Sequence, residues 1–254
     1  MGRERYDVIE LLGEGAGGVV YRATDGTRDV ALKVLRSADP TAQKRFAREA
    51  RLAAESRSRH LVEILEVGDD YLVMPLYTGG SLASRVPLSV AETTRLAAEL
   101  GQGLDALHAR GVIHRDVKPS NVLLDADDAA VLTDFGLARG ADSTQLTREG
   151  QLVGSLHYLA PELIEGGPAT TASDLYALGC LLYECVAGAP PFAGRGDAEI
   201  GYAHLVEPPP DPCPERPELS AALLTALAKS PQARPTTATA LARMLHLAGT
   251  HAPA

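Results

Sequence analysis

The chain has 254 residues, 45% hydrophobic and 22% charged, so it belongs with folded proteins and has the length for one large domain or two lobes sharing a cleft. Its formal net charge of -9 argues against nucleic acid or an anionic lipid surface as the main partner, because both select a dense basic surface. In chain order, residues 8–12, 19–23 and 30–35 are short β-prone runs separated by Gly- and Asp-rich turns. Residues 41–56 place Phe46, Ala50, Ala53 and Ala54 at helical spacing, and two further strands are expected at 61–67 and 71–76. Thr78-Gly79-Gly80 breaks the pattern. Beyond it, Ser89-Val90-Ala91-Glu92 is a capping box opening a helix with Leu96, Leu100, Leu104 and Leu107 on one face and Gly111 as its stop. Residues 175–186 are apolar nearly all round, which predicts a helix buried in the middle of the larger lobe. Strands first and helices after predict an α+β protein with segregated lobes.

No signal-peptide pattern opens the sequence, and its longest apolar run is far shorter than the ~20 residues that a bilayer requires, so a soluble, cytoplasmic chain is expected. The three cysteines have neither metal-ligand nor redox spacing. Cys180 and Cys185 read as small buried hydrophobes, and Cys213, in the Pro-rich stretch 208–217, as a surface thiol.

The chemistry is carried by four segments. Gly13-Glu14-Gly15-Ala16-Gly17-Gly18 lies between two strands, where glycines let backbone N–H groups approach phosphate oxygens; alone it is equally a plain hairpin turn. Lys33, on the third strand among apolar neighbours, needs a counter-ion, and Glu49 of the following helix is the expected partner. In His114-Arg115-Asp116-Val117-Lys118-Pro119-Ser120-Asn121, Asp116 can accept or orient a hydroxyl proton, Lys118 can neutralise a moving phosphoryl group, and Asn121 offers a neutral oxygen to magnesium. Asp134, after the strand expected at 130–133, supplies an anionic metal ligand, and Gly136 permits the turn that follows.

These segments, in this order, resemble the protein-kinase signature set. The resemblance continues through Ala160-Pro161-Glu162, Asp174 with Gly179, and Arg234, and is most specific to bacterial Ser/Thr kinases of the eukaryotic (Hanks) type through the stretches 153–162 and 188–192. It implies a two-lobed fold over 6–247, with a β-rich N-lobe at about 6–76, a hinge at about 74–79, a helical C-lobe at about 80–247 and a tail at 248–254. It also implies ATP and magnesium as cofactors. Lys33, tethered by Glu49, would hold the α- and β-phosphates, with Asp116 as base, Lys118 on the γ-phosphate, and Asn121 and Asp134 as metal ligands. Leu12, Gly13, Gly15, Gly18, Val20, Ala31, Met74, Pro75, Tyr77 and Leu123 would surround the nucleotide, the Tyr77 amide serving as hinge donor because Pro75 has none. Glu162 and Arg234 would form a buried structural ion pair.

The same resemblance assigns regulation to Arg115, which would pair with a phosphate on the segment 134–162. Ser143, Thr144, Thr147 and Ser155 are candidate acceptors, and spacing from Ala160-Pro161-Glu162 favours Thr147. Ser155 also stands where its hydroxyl can bond Asp116 and Lys118. His60 reads as a loop residue. The implied partners are a protein substrate and, as in similar kinases, a second copy of the chain, with room for a membrane anchor outside this segment. A nucleotide-binding scaffold without catalysis and a small-molecule phosphotransferase are the alternative readings. Intact Lys33, Asp116, Asn121 and Asp134 weigh against the first, and the segment 154–162 against the second.

Overall fold

A computed structural model describes residues 5–15, 18–37, 39–134 and 155–250. The N-terminal part is an antiparallel sheet of β1 (Asp7–Gly15), β2 (Gly18–Thr24), β3 (Asp29–Val34), β4 (Glu66–Val67) and β5 (Tyr71–Pro75), in the order β1-β2-β3-β5-β4. Helix α1 (Pro40–Ala54) sits between β3 and β4 in sequence and starts at Asp39, whose carboxylate accepts from the Thr41 and Ala42 amides. Alternation along β3 decides what enters the cleft. Val30 and Leu32 face a small cluster with Tyr6, Ala23, Tyr71 and Val73, whereas Ala31 joins Met74, Leu72, Phe46 and Ala50 in the main core. Lys33 therefore points toward the helical part.

The strand expected at 61–67 is reduced to Glu66–Val67. Leu61 and Val62 are buried, and they bond elsewhere: the Val62 amide donates to Leu132 O at 2.9 Å, and the Leu132 amide to His60 O at 2.9 Å. An apolar run that reads as a sheet strand thus ties the sheet to the helical part instead. His60 lies in a turn but is buried, its Nδ1 donating to Ala130 O at 2.9 Å.

The helical part holds α2 (Val90–His108), the hairpin β6 (Val122–Leu124) and β7 (Ala130–Leu132), then α3 (Pro161–Ile164), α4 (Thr171–Ala187), α5 (Asp197–Val206), α6 (Pro217–Ala226) and α7 (Ala238–Thr250). The Ser89–Glu92 capping box forms as expected. Helix α4 is the buried axis, with Leu175, Leu178, Leu181 and Leu182 each at most 1% exposed, and burial of each stabilises the fold by about 1.5–3 kcal/mol. Gly188, at φ 81°, ends it in the left-handed conformation. Asp105 of α2 accepts the Ala238 and Thr239 amides, so one helix caps the start of α7. Helix α7 runs through Thr250, into the stretch expected as a tail.

Cys213 is buried, not a surface thiol. The Pro-rich loop folds onto α6, where Ser220 Oγ donates to the Cys213 carbonyl at 3.0 Å. Among the described residues no helix is long and apolar enough to cross a membrane.

Candidate active site

The loop between α2 and β6 is held from beneath by one carboxylate. Asp174, 1% exposed near the start of α4, accepts the His114 amide at 2.7 Å, the Arg115 amide at 2.8 Å and His108 Nε2 at 2.8 Å. These bonds stabilise Arg115 at φ 66°, a conformation that side chains rarely adopt. His114 is fully buried, and burial lowers its pKa. Its Nε2 donates to Thr133 O at 3.0 Å and its Nδ1 accepts the Asp116 amide at 3.3 Å, so the ring is neutral and serves as a brace.

Above this base four side chains converge. Asp116 Oδ2 lies 2.9 Å from Lys118 Nζ and accepts from Asn121 Nδ2 at 2.9 Å. Ser155 Oγ donates to Asp116 Oδ1 at 3.2 Å while accepting from Lys118 Nζ at 3.0 Å. Asn121 Nδ2 also donates to Asp116 O at 2.8 Å, which fixes the amide so that Oδ1 turns away and accepts no hydrogen bond among the described residues. Asp134, at φ 60°, follows β7. An amide oxygen and a carboxylate oxygen are hard donors of the kind magnesium takes.

Lys33 does not take the partner expected from the sequence. Its Nζ lies 2.7 Å from Asp134 Oδ1, with the lysine side chain 6% exposed. Glu49 instead meets Arg115 Nη1 at 3.4 Å. The reason is proximity: Lys33 finds a closer carboxylate, and α1 presents Glu49 to the guanidinium. Burial raises the pKa of Glu49, with Arg115 opposing that shift.

The residues expected around a nucleotide lie on both sides of this cleft. Val20 pairs with Lys33 across β2–β3, and Ala31 with Met74 across β3–β5. Ala31 and Met74 share the main core, and Val20 and Tyr77 pack against it. Leu123 lies on β6, partly buried, with a bridge from Leu123 to Ser81. Leu12 is exposed on β1, and Gly13 and Gly15 end that strand. Pro75 closes β5. Gly18 has φ 136°, and a Cβ there would sit 2.3 Å from Val34 O, so this position tolerates only glycine. Ala16, Gly17, Phe135, Gly136, Ser143, Thr144, Thr147 and the stretch up to residue 154 lie outside the described residues.

Arg234 and Glu162 form the expected pair with two bonds of 2.7 Å. The positioning role of Asp174 and its contact with His108 are not derivable from sequence spacing, although a carboxylate in a helix apolar nearly all round was a visible signal. A further contact escaped the sequence reading: Tyr158 Oη donates to Glu184 Oε2 at 2.6 Å.

A protein kinase domain profile matches residues 6–245, and the chain belongs to that family. Similar proteins are Ser/Thr protein kinases of bacteria. The DNA damage-responsive kinase RqkA of Deinococcus radiodurans is 40% identical over 96% of this chain and 39% of its own length. PknE of Mycobacterium tuberculosis is 38% identical over 96% of the chain and 46% of its own, and PknB of Mycobacterium leprae is 37% identical over 92% and 41%. The chain thus spans less than half the length of these relatives.

Proposed function

We propose that this domain is an ATP- and magnesium-dependent Ser/Thr protein kinase acting in the cytoplasm on protein hydroxyls. The observation that carries the reading is the convergence of Lys118, Asn121 and Ser155 on Asp116, each within hydrogen-bond reach of it, together with the Lys33–Asp134 pair. Asp116 orients the acceptor hydroxyl and takes its proton. Lys118 neutralises charge on the transferred group, and Ser155 fixes the spacing of that acid and base pair. Lys33 binds the nucleotide phosphates, while Val20, Ala31, Met74 and Leu123 enclose the adenine and the Tyr77 amide bonds it. Asn121 and Asp134 would hold magnesium, which would supply positive charge to the phosphate oxygens.

Arg115 links this chemistry to regulation. A phosphate on Thr147 would compete with Glu49 for its guanidinium, and Glu49 so released would turn to Lys33. Two assays test the reading. Labelled ATP is supplied with a generic basic protein, comparing the parent with Asp134→Asn; no magnesium-dependent label from the parent refutes catalysis. Thr147→Ala is expected to autophosphorylate more slowly, and an unchanged rate removes the regulatory step alone.

A further inference from the structure

Helix α1 buries Phe46, Ala47, Ala50 and Ala53 and leaves Lys44, Arg48 and Arg51 exposed at positions i, i+4 and i+7. That spacing sets three cations along about 10 Å of one stripe. None of the three side chains has an ion pair or a hydrogen bond among the described residues. The arginines of the sheet differ: Arg5 lies on Glu66, Arg22 on Glu10 and Asp29, and Arg36 on Glu14.

The carboxylates of this region are engaged elsewhere. Asp39 caps the helix, Glu49 meets Arg115, and Glu55 meets Arg110 at 3.6 Å. Glu66 of β4, a strand packed against α1, accepts from Tyr6 and Tyr71. Further positive charge adjoins the stripe. Arg45 has a buried Nε without a hydrogen-bond partner among the described residues, and Arg57 and Arg59 are exposed in the turn beyond the helix. Like charges one turn apart repel, so this chain of formal net charge -9 carries a local cationic face at some cost to the helix.

We infer that the Lys44–Arg48–Arg51 stripe docks an acidic segment of a partner protein, whose carboxylates pair with the three cations. The inference goes beyond the phosphoryl-transfer reading and does not depend on it. Sign and size select the occupant. A carboxylate-rich segment is attracted to the stripe and gives its cations the partners they lack. A DNA duplex or an anionic bilayer is far wider than about 10 Å, so it would also meet the surrounding surface, which carries the negative charge of the chain. A short segment confined to one helix face avoids that repulsion.

The test uses the whole chain and a labelled polyglutamate peptide, with binding read by fluorescence anisotropy at low salt. K44A/R48A/R51A should weaken binding by at least about tenfold, and the charge-conserving K44R/R48K/R51K should bind as the parent does. The melting temperature of both variants should match that of the parent, because no ion pair or hydrogen bond is lost. An unchanged Kd in K44A/R48A/R51A overturns the proposal. So does an equal loss in R28A/R85A/R243A, which removes three exposed cations elsewhere and would mark unspecific attraction. Tighter stripe-dependent binding of a DNA duplex or of phosphatidylserine vesicles overturns it in favour of that partner. A parent dimer that sedimentation shows to dissociate in K44A/R48A/R51A, with polyglutamate bound by neither, overturns it in favour of self-association.

Discussion

Replacing Glu162 isolates the worth of the buried ion pair that ties α3 to the C-terminal segment. Arg234 has a side-chain exposure of 0% and Glu162 17%, and their two 2.7 Å bonds are parallel and charge-assisted. The guanidinium has other support: Nε donates to Ala228 O at 2.9 Å, Nη1 to Ala172 O at 2.8 Å and Nη2 to Lys229 O at 3.1 Å, and it stands 4.8 Å from the Tyr176 ring centroid. Those contacts satisfy the donors but neutralise none of the charge. Glu162→Ala should therefore cost about 3–5 kcal/mol, the usual penalty for a buried charge left alone. At about 2–4 °C per kcal/mol for a domain of this size, the melting temperature should fall by about 6–20 °C. Urea unfolding of Glu162→Ala, Arg234→Met and the double variant closes a thermodynamic cycle. The double variant should be less damaged than the two single losses summed, because no charge is left in the core. A Glu162→Ala loss below about 1 kcal/mol, or strict additivity, would refute this account.

Three other perturbations probe different parts of the molecule. Arg115→Ala frees Glu49 and should raise the basal rate of unphosphorylated protein severalfold while abolishing stimulation by phosphorylation; a lower basal rate with stimulation intact contradicts the exchange. Gly18→Ala forces a Cβ to 2.3 Å from Val34 O at φ 136°, so it should cost at least about 1–3 kcal/mol and loosen the β2–β3 pairing, as hydrogen exchange would report. His204 is buried, which pushes its pKa down to about 3, and its Nε2 has no hydrogen-bond partner among the described residues. Because the folded state binds this proton more weakly than the unfolded chain, stability is complete above about pH 6.5 and declines as pH falls toward about 3, at up to about 1.4 kcal/mol per pH unit. The buried His114, lowered in the same direction, adds to the slope. His204→Phe should flatten the profile between pH 6 and 4, and an equally steep profile would exclude His204 as a source.

Much of the scaffold was legible because it rests on local rules. The Ser89–Glu92 box, the strand at 30–35 and the apolar helix over 175–186 each appear at their expected places. Long-range choices were not legible. The sequence favoured Glu49 of the following helix as the partner of Lys33, yet the carboxylate it takes is 101 positions away. The stretch 61–65 has strand composition, yet Val62 bonds to Leu132 instead of joining the sheet. Cys213 looked exposed because proline-rich segments usually lie on the surface, but its burial follows from Ser220 and α6. In the site, the residue types and their order announced the family, whereas the support from Asp174 and His108 depends on how α2 meets α4.

The three bonds accepted by Asp174 have a consequence for how this loop can diverge. They grip main-chain amides and one histidine, and none involves the guanidinium of Arg115. The left-handed backbone at residue 115 is thus encoded some 60 positions downstream, in a helix whose identity is set by core packing. The side chain at 115 can change while the loop keeps its shape and Asp116 its aim. Under the proposed function, control by phosphate and phosphoryl transfer would therefore be separable inheritances: a single substitution at 115 would remove the first and leave the second intact.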